Sequence, residues 1–301
     1  MNRRLLLAAP SLLLPRVAMA QNFPSRPIRL LVGFPAGGIS DAQARLVAAA
    51  LEKDFGQPVV VDNRPGAGGN ISVDAVAKSP PDGYVFGAAS VSNLAINPHL
   101  YRSMPYDPLK DLAPLSLMAI NPNVLVARPD FPAGDLAGLI AHAKANPGKV
   151  SYGSPGIGTS QHLAAEMLKV AAGIDMLHVP YRGSGPAITD MLGGQVDSFF
   201  ATASPLIGQV RQSQLRLLAI TGTQRNPAIA AVPTFRELGL SVPVMQWYGL
   251  VAPAGTPDSV LRFLSGHLCF LRRGQLALHV GKLRPRSRQL AFGLTPLRER
   301  A

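Results

Sequence analysis

The chain contains one cysteine in 301 residues, Cys269. A lone thiol excludes an intramolecular disulfide and any structural zinc site built on cysteine. There is no H-E-x-x-H, no C-x-x-C and no cluster of carboxylates, so the sequence offers no metal site. Beyond the first 20 residues, no apolar run is long enough to span a bilayer. A basic surface for nucleic acid is also missing where it would matter. The formal charge is +12, but Arg3, Arg4 and Arg16 supply +3, and residues 269–301 supply +7 from eight Lys/Arg against Glu299. The body, 21–268, holds 18 basic and 16 acidic residues, a net +2. That near-neutral body leaves no electrostatic footprint for nucleic acid.

What is present begins with an export leader. Arg3 and Arg4 precede the apolar "LLLAAPSLLL", and "AMA" at 18–20 has the spacing a signal peptidase reads. Residues 1–20 are therefore expected to be removed before Gln21, by the general or the twin-arginine route.

The body then repeats one phrase: an apolar run, a Gly/Pro/Ser turn and a helical pattern. "IRLLVGF" leads through "PAGGIS" to a helix near 41–55, with Ser40 and Gln43 at capping-box spacing. "PVVVDN" leads to "RPGAGGN", and "YVFGAAS" to "VSNLAINPHLY". After an irregular passage, "NVLVARPD" opens a second series in which "KVSYGS" and "MLHVPY" each run into a glycine turn and a helix. "LRLLAITG" and "WYGLVAPAG" are later strands. Strands alternating with helices argue for parallel sheets, and two series argue for two lobes, with crossings near Ala119–Val126 and Gln246–Val251.

Four turns, at 33–38, 65–69, 153–158 and 182–185, are rich in glycine. Glycine admits positive φ and lets a ligand approach the main chain. The following helix presents unsatisfied N–H groups and the positive end of its dipole, which together make an anion site. The turns do not fit G-x-x-x-x-G-K-[ST] or G-x-G-x-x-G, which disfavours a nucleotide. Any one of them also serves as a plain tight turn; four in two series favour a shared ligand cleft. A nucleophile elbow needs G-x-S-x-G, and "YGSPG" has Tyr152 in the first glycine's place, so Ser154 does not qualify. His178 suits a buried, hydrogen-bonded structural role, whereas His162 equally suits a ligand contact at a helix start. Asp41 complements a helix dipole, and equally suits an acceptor for a ligand amine or hydroxyl.

In these residues the chain resembles the periplasmic solute receptors of tripartite tricarboxylate transporters, the Bug family. The matching phrases include "FPAGGISD", "VVVDNRPGAGGN", "AKSPPDGYVF", "VSYGSPGIGTSQHLAAEML", "HVPYRGSGPAITDMLGGQVD" and "WYGLVAPAGTPDSV", in family order over about residues 25–264. The resemblance implies an α/β, type II Venus-flytrap protein of two lobes, each a mainly parallel sheet flanked by helices. Lobe I is expected at 21–122 plus 246–268, and lobe II at 123–245. It implies a non-enzymatic, cofactor-free, monomeric receptor in the periplasm that hands a small organic carboxylate to a membrane permease. Carried over by position, lobe I would contribute the backbone of Phe34, Pro35, Ala36, Gly37 and Gly38, with Asp41, Gly68, Asn70, Ser90 and Ser92. Lobe II would contribute Gly158, Thr159, Ser160 and His162, with Tyr181, Arg182 and Gly183. Arg182 is then either a charged ligand partner or an exposed cap. The loop facing "GFPAGGISD" across the cleft is expected to be "SPGIGTSQH". A secreted α/β hydrolase and a receptor feeding a sensor kinase are the competing classes.

The chain departs from the family pattern at Ser72, Asn93 and Leu94, positions able to alter which ligand fits. A larger departure follows "DSVLRFLSGHL", where the family-like pattern stops and the basic 269–301 segment begins. A frameshift near Cys269 accounts for that change; a functional basic tail for an anionic partner is the competing account. The gene decides: a single-base shift near codon 269 is expected to restore a family-like ending, and if none does the frameshift account fails.

Overall fold

The computed structural model describes residues 23–203 and 206–274, with backbone alone for 269–274. The expected leader with its cleavage before Gln21, and most of the basic tail, lie outside the described residues.

Lobe I opens with β1 (Ile28–Val32), α1 (Ile39–Phe55), β2 (Val59–Asn63), α2 (Asn70–Ala77) and β3 (Val85–Ser90). A wide helical turn over Ser92–Ile96 runs into α3 (Asn97–Leu100), and β4 (Leu112–Ala127) leads out of the lobe. Lobe II holds α4 (Leu136–Ala145), β5 (Ser151–Ser154), α5 (Ser160–Ala172) and β6 (Leu177–Pro180). It continues with α6 (Ser184–Leu192), β7 (Ser198–Thr202), α7 (Ile207–Arg211) and β8 (Arg216–Ile220). β9 (Met245–Pro253) returns to lobe I, where α8 (Asp258–Gly274) packs.

The local chemistry explains these elements. In β1, Ile28, Leu30 and Val32 point to one core face and Leu31 to the other, so the strand is apolar on both sides, as a parallel strand between helices requires. α1 buries Ala44, Ala48 and Leu51 at helical spacing and ends on Gly56, whose φ of 63° closes the last turn through Glu52 O. Its N-cap is Gly38 and it starts at Ile39, which places Ser40 inside the first turn, buried, instead of at the cap expected for it.

The strand order is β2-β1-β3-β9-β4-β7-β5-β6, with β8 also on β4. β1 pairs in parallel with β2 and β3, and β5 in parallel with β6 and β7. The crossing strands supply the antiparallel ladders. β4 pairs with β9 from Leu112↔Pro253 to Pro122↔Met245, and with β7 from Asn123↔Thr202 to Ala127↔Ser198. One strand therefore serves both lobes and changes partner between Pro122 and Asn123.

Asn123 pins that change of partner. Its N–H donates to Thr221 Oγ1 (2.8 Å), its Nδ2 donates to Val244 O (3.1 Å), and its Oδ1 accepts from Ser160 Oγ (3.3 Å). Each lobe buries apolar residues on both sheet faces. Phe86, Leu51 and Leu264 fill one face of lobe I, and Val73, Val76 and Val251 the other. Leu125, Tyr152 and Phe200 fill one face of lobe II, and Val126, Met191 and Phe199 the other.

Candidate functional site

The first glycine turn is built by close approach. A Cβ on Gly33 would lie 2.7 Å from Gly69 Cα, so only glycine lets the turns after β1 and β2 touch. Asp41, 3 % exposed in the first turn of α1, then ties the loop down. Its Oδ2 accepts from Gly37 N–H (2.9 Å) and Arg45 Nε (2.9 Å), and its Oδ1 accepts from Asn63 Nδ2 (3.0 Å). Burial alone would raise this carboxyl, but the bonds from Arg45, Gly37 and Asn63 outweigh it and hold the group below the usual carboxylate range.

That loop forms one wall of a cavity of about 220 Å³ between the lobes. The wall runs from Phe34 through Pro35, Ala36, Gly37 and Gly38 to Ile39 and Ser40, with Ser92 beside it. The opposite wall is Gly183–Pro186, the start of α6, with Gln161 of α5 and Thr202 at the end of β7. Gln246 and Tyr248 of β9 complete the lining, and burial raises the Tyr248 hydroxyl far above its ordinary pKa. None of the lining side chains is charged. The positive potential comes from backbone. Ile39 and Ser40 in α1, and Ser184 and Gly185 in α6, are first-turn positions whose N–H groups have no intrahelical partner. Pro186 has no N–H to leave unpaired. Gly183 has φ 125°, and a Cβ there would come within 3.2 Å of Pro35 across the cleft. The lobes are thus closed on each other at this point.

A second recess, about 260 Å³, shares Phe34, Pro35 and Pro155 with the first and contains Gly68, Tyr181 and the exposed Arg182. Tyr181 Oη donates to Asp190 Oδ2 at 3.0 Å. Seven of the residues singled out in the sequence line neither recess and act behind them. Asn70 Oδ1 accepts from Asn97 Nδ2 (2.8 Å) and Tyr106 Oη (3.2 Å). The N–H and Oγ of Ser90 both donate to Asn93 Oδ1, while Asn93 Nδ2 donates to Gly68 O (3.0 Å). The unusual Asn93 therefore ties Ser90 to the second glycine turn. Gly158 packs on Asn97 and Tyr101. "SPGIGTSQH" contributes Pro155 and Gln161 to the first cavity and Pro155, Gly156 and Ile157 to the second recess, while the start of α6 supplies Gly183–Pro186 to the first. Thr159 caps α5 by accepting from His162 N–H, and Ser160 Oγ donates to Gln246 Oε1. His162 stacks on His178 with ring centroids 4.4 Å apart.

Sequence reading missed Gln161, Thr202, Gln246 and Tyr248. Only the adjacency of Gln161 to Ser160 offered a local signal; the others arrive from β7 and β9 through long-range pairing.

His178 lies between Tyr152 (4.7 Å) and His162, with Ser154 Oγ 2.8 Å from its Nε2. Ser154 is fully buried, donates to Gly156 O and accepts from Gly156 N–H, so the pair is a packing motif of the lobe II core edge. Burial, with His162 next, pushes His178 down to about 4, and burial also lowers His162.

Residues 43–269 match the model of the tripartite tricarboxylate transporter family receptor. Protein BugT of Bordetella pertussis is 39 % identical over 251 residues, 83 % of this chain and 77 % of that protein. A structure described as a periplasmic transporter aligns with TM-score 0.80 and 42 % identity over 84 % of this chain and 85 % of that one. An R. palustris protein solved with adipate aligns at 0.79 and 35 % identity, covering 82 % and 83 % of the two chains. MatC of Rhodopseudomonas palustris, solved with bound malate, aligns at 0.79 and 30 % identity, covering 82 % and 85 %.

The depressed histidine has a measurable consequence. His178 is neutral in the fold, while the unfolded chain takes up a proton below its ordinary value, so stability falls as pH falls from about 6.5 toward 4. By chemical denaturation, this group accounts for a loss of about 2 kcal/mol between pH 7 and pH 5. His178→Gln is expected to reduce that loss; an unchanged pH dependence would count against the assignment.

Proposed function

The chain belongs to the tripartite tricarboxylate transporter receptor family, and from that premise we propose that it captures a small carboxylate outside the cytoplasm and passes it to a membrane permease. One observation carries the reading: helix starts from opposite lobes, α1 and α6, face a single uncharged cavity of about 220 Å³. A carboxylate is the group such a place favours, because main-chain N–H groups and two helix dipoles converge on it and no side-chain charge competes. The volume lies below the roughly 300–1,000 Å³ of drug-sized pockets and suits a short dicarboxylate. The structures solved with adipate and malate support the same class.

In this proposal lobe I comprises 21–122 with 246–268, lobe II comprises 123–245, and ligand contacts from both lobes favour the closed state that the permease recognises. Phe34–Gly38, Ser92 and Gly183 contact the ligand. Gly68, Tyr181 and Arg182 border the adjacent recess. Asp41, Asn70, Ser90, Gly158, Thr159, Ser160 and His162 hold those walls in place. The protein works as a periplasmic monomer, exported by its leader, and turns nothing over: the buried Ser154 is not placed to attack a bound ester.

A thermal-shift screen of the purified protein tests the reading. Adipate, succinate or malate at about a hundred times its Kd is expected to raise Tm by roughly 5–8 °C, from about 2.7 kcal/mol of binding linkage. The corresponding diamides are expected to give no shift. Folded protein that responds to no carboxylate, or equally to the diamides, would refute the proposal.

A further inference from the structure

Behind the two recesses the lobes meet on glycines. A Cβ on Gly158 would overlap Asn97 Oδ1 and come within 3.2 Å of the Tyr101 ring. One on Gly68 would lie 3.0 Å from Ile157 O and 3.2 Å from Asn97 Nδ2. With Gly183 against Pro35, these are three places where a missing side chain lets residues of 21–122 touch residues of 123–245. Asn97 takes part in two of the three.

Asn97 opens α3, is fully buried, and has a half-satisfied amide. Its Nδ2 donates to Asn70 Oδ1 (2.8 Å), a bond internal to lobe I. Its Oδ1, on the Gly158 side, is buried and has no hydrogen-bond partner among the described residues. The two ends of the amide therefore respond differently to lobe movement. Parting the lobes leaves the bond to Asn70 in place, but it draws Gly158 away from Oδ1 and opens that oxygen to water. Closing strips the water and supplies no partner, a cost that exists only in the closed state.

We propose that Asn97 Oδ1 is a closure penalty built into the cleft: sealing it against Gly158 holds the empty receptor open, and ligand contacts with both lobes overcome it. This rests on the two-lobe receptor reading and goes beyond it. A receptor that closed empty would occupy its permease without cargo, and the sealed oxygen suppresses that state. Glycine at 158 lets the seam close at all, and Asn97 sets how readily it closes.

The test is double electron–electron resonance on the full chain, with spin labels at Leu46→Cys and Val170→Cys, exposed positions on α1 and α5, and Cys269→Ser. Ligand-free protein is expected to be mostly open. Asn97→Ala is expected to raise its closed-to-open ratio about tenfold, and to lower by a similar factor the Kd of whichever of adipate, succinate or malate binds tightest. Asn97→Asp, which puts charge on the sealed oxygen, is expected to move both quantities the other way. Both variants lose the bond to Asn70, so structural damage alone would move them in the same direction. Gly158→Ala is expected to stay open and to weaken binding tenfold or more, and adding Asn97→Ala is expected to recover part of that loss. Ligand-free protein that is already mostly closed, shifts of the same sign in Asn97→Ala and Asn97→Asp, or no shift in either overturns the inference and leaves the carboxylate reading intact. Binding of none of the three acids by the unaltered protein overturns the carboxylate reading, while the ligand-free ratios still decide this inference.

Discussion

The change of partner along β4, held by Asn123, is the constraint on which the rest depends. One continuous strand leaves β9 at Pro122 and joins β7 at Asn123, so the two lobes meet at a hydrogen-bonded joint. The same residue reaches Ser160 at the start of α5, and Ser160 reaches Gln246 on the returning strand. The end of β7, the start of α5 and the beginning of β9 are thereby fixed relative to one another, and these are the segments that bring Thr202, Gln161 and Gln246 to the cavity. Loss of the joint would displace the lobe II wall as a unit.

The opposite wall follows a different logic. It is a main-chain surface whose shape comes from glycine contacts and whose register comes from the buried Asp41 carboxylate. The two walls place helix starts against one another with no fixed charge between them, an arrangement suited to an anion held by dipoles and main-chain donors. Under the proposed function such a site would favour a carboxylate without committing to a particular acid; relatives of similar fold were solved with adipate and with malate. His162 and His178 belong to the supporting stack, and burial lowers both imidazoles.

Much of the fold was legible because parallel strands between helices leave a strong local mark. A short apolar run and a helical pattern, with a glycine turn between them at all but β3, located β1, β2, β3, β5 and β6 and their helices, with α1 beginning two residues earlier than expected because Gly38, and not Ser40, caps it. The first half of β4 read as irregular because it carries Pro114 and Pro122, and its pairing with β9 has register shifts after Pro114 and Leu117 that accommodate the irregularity. β7 lacked the following glycine turn that marked β1, β2, β5 and β6. At the site, the glycine walls were visible in the sequence, whereas Thr202 and Gln246 were not, since strands distant in sequence deliver them. Opposite "GFPAGGISD", Gln161 of the expected "SPGIGTSQH" loop lines the cavity together with the start of α6.

The central claim is that a carboxylate is held between the lobes by main-chain groups of α1 and α6. A crystal structure of the protein with adipate tests it most directly. The account predicts one carboxylate within about 3.2 Å of first-turn N–H groups at Ile39 or Ser40, directly or through one water, with further contacts from Ser184 or Gly185. Adipate held instead by a charged side chain such as Arg182, or bound outside the cavity between the lobes, would contradict it.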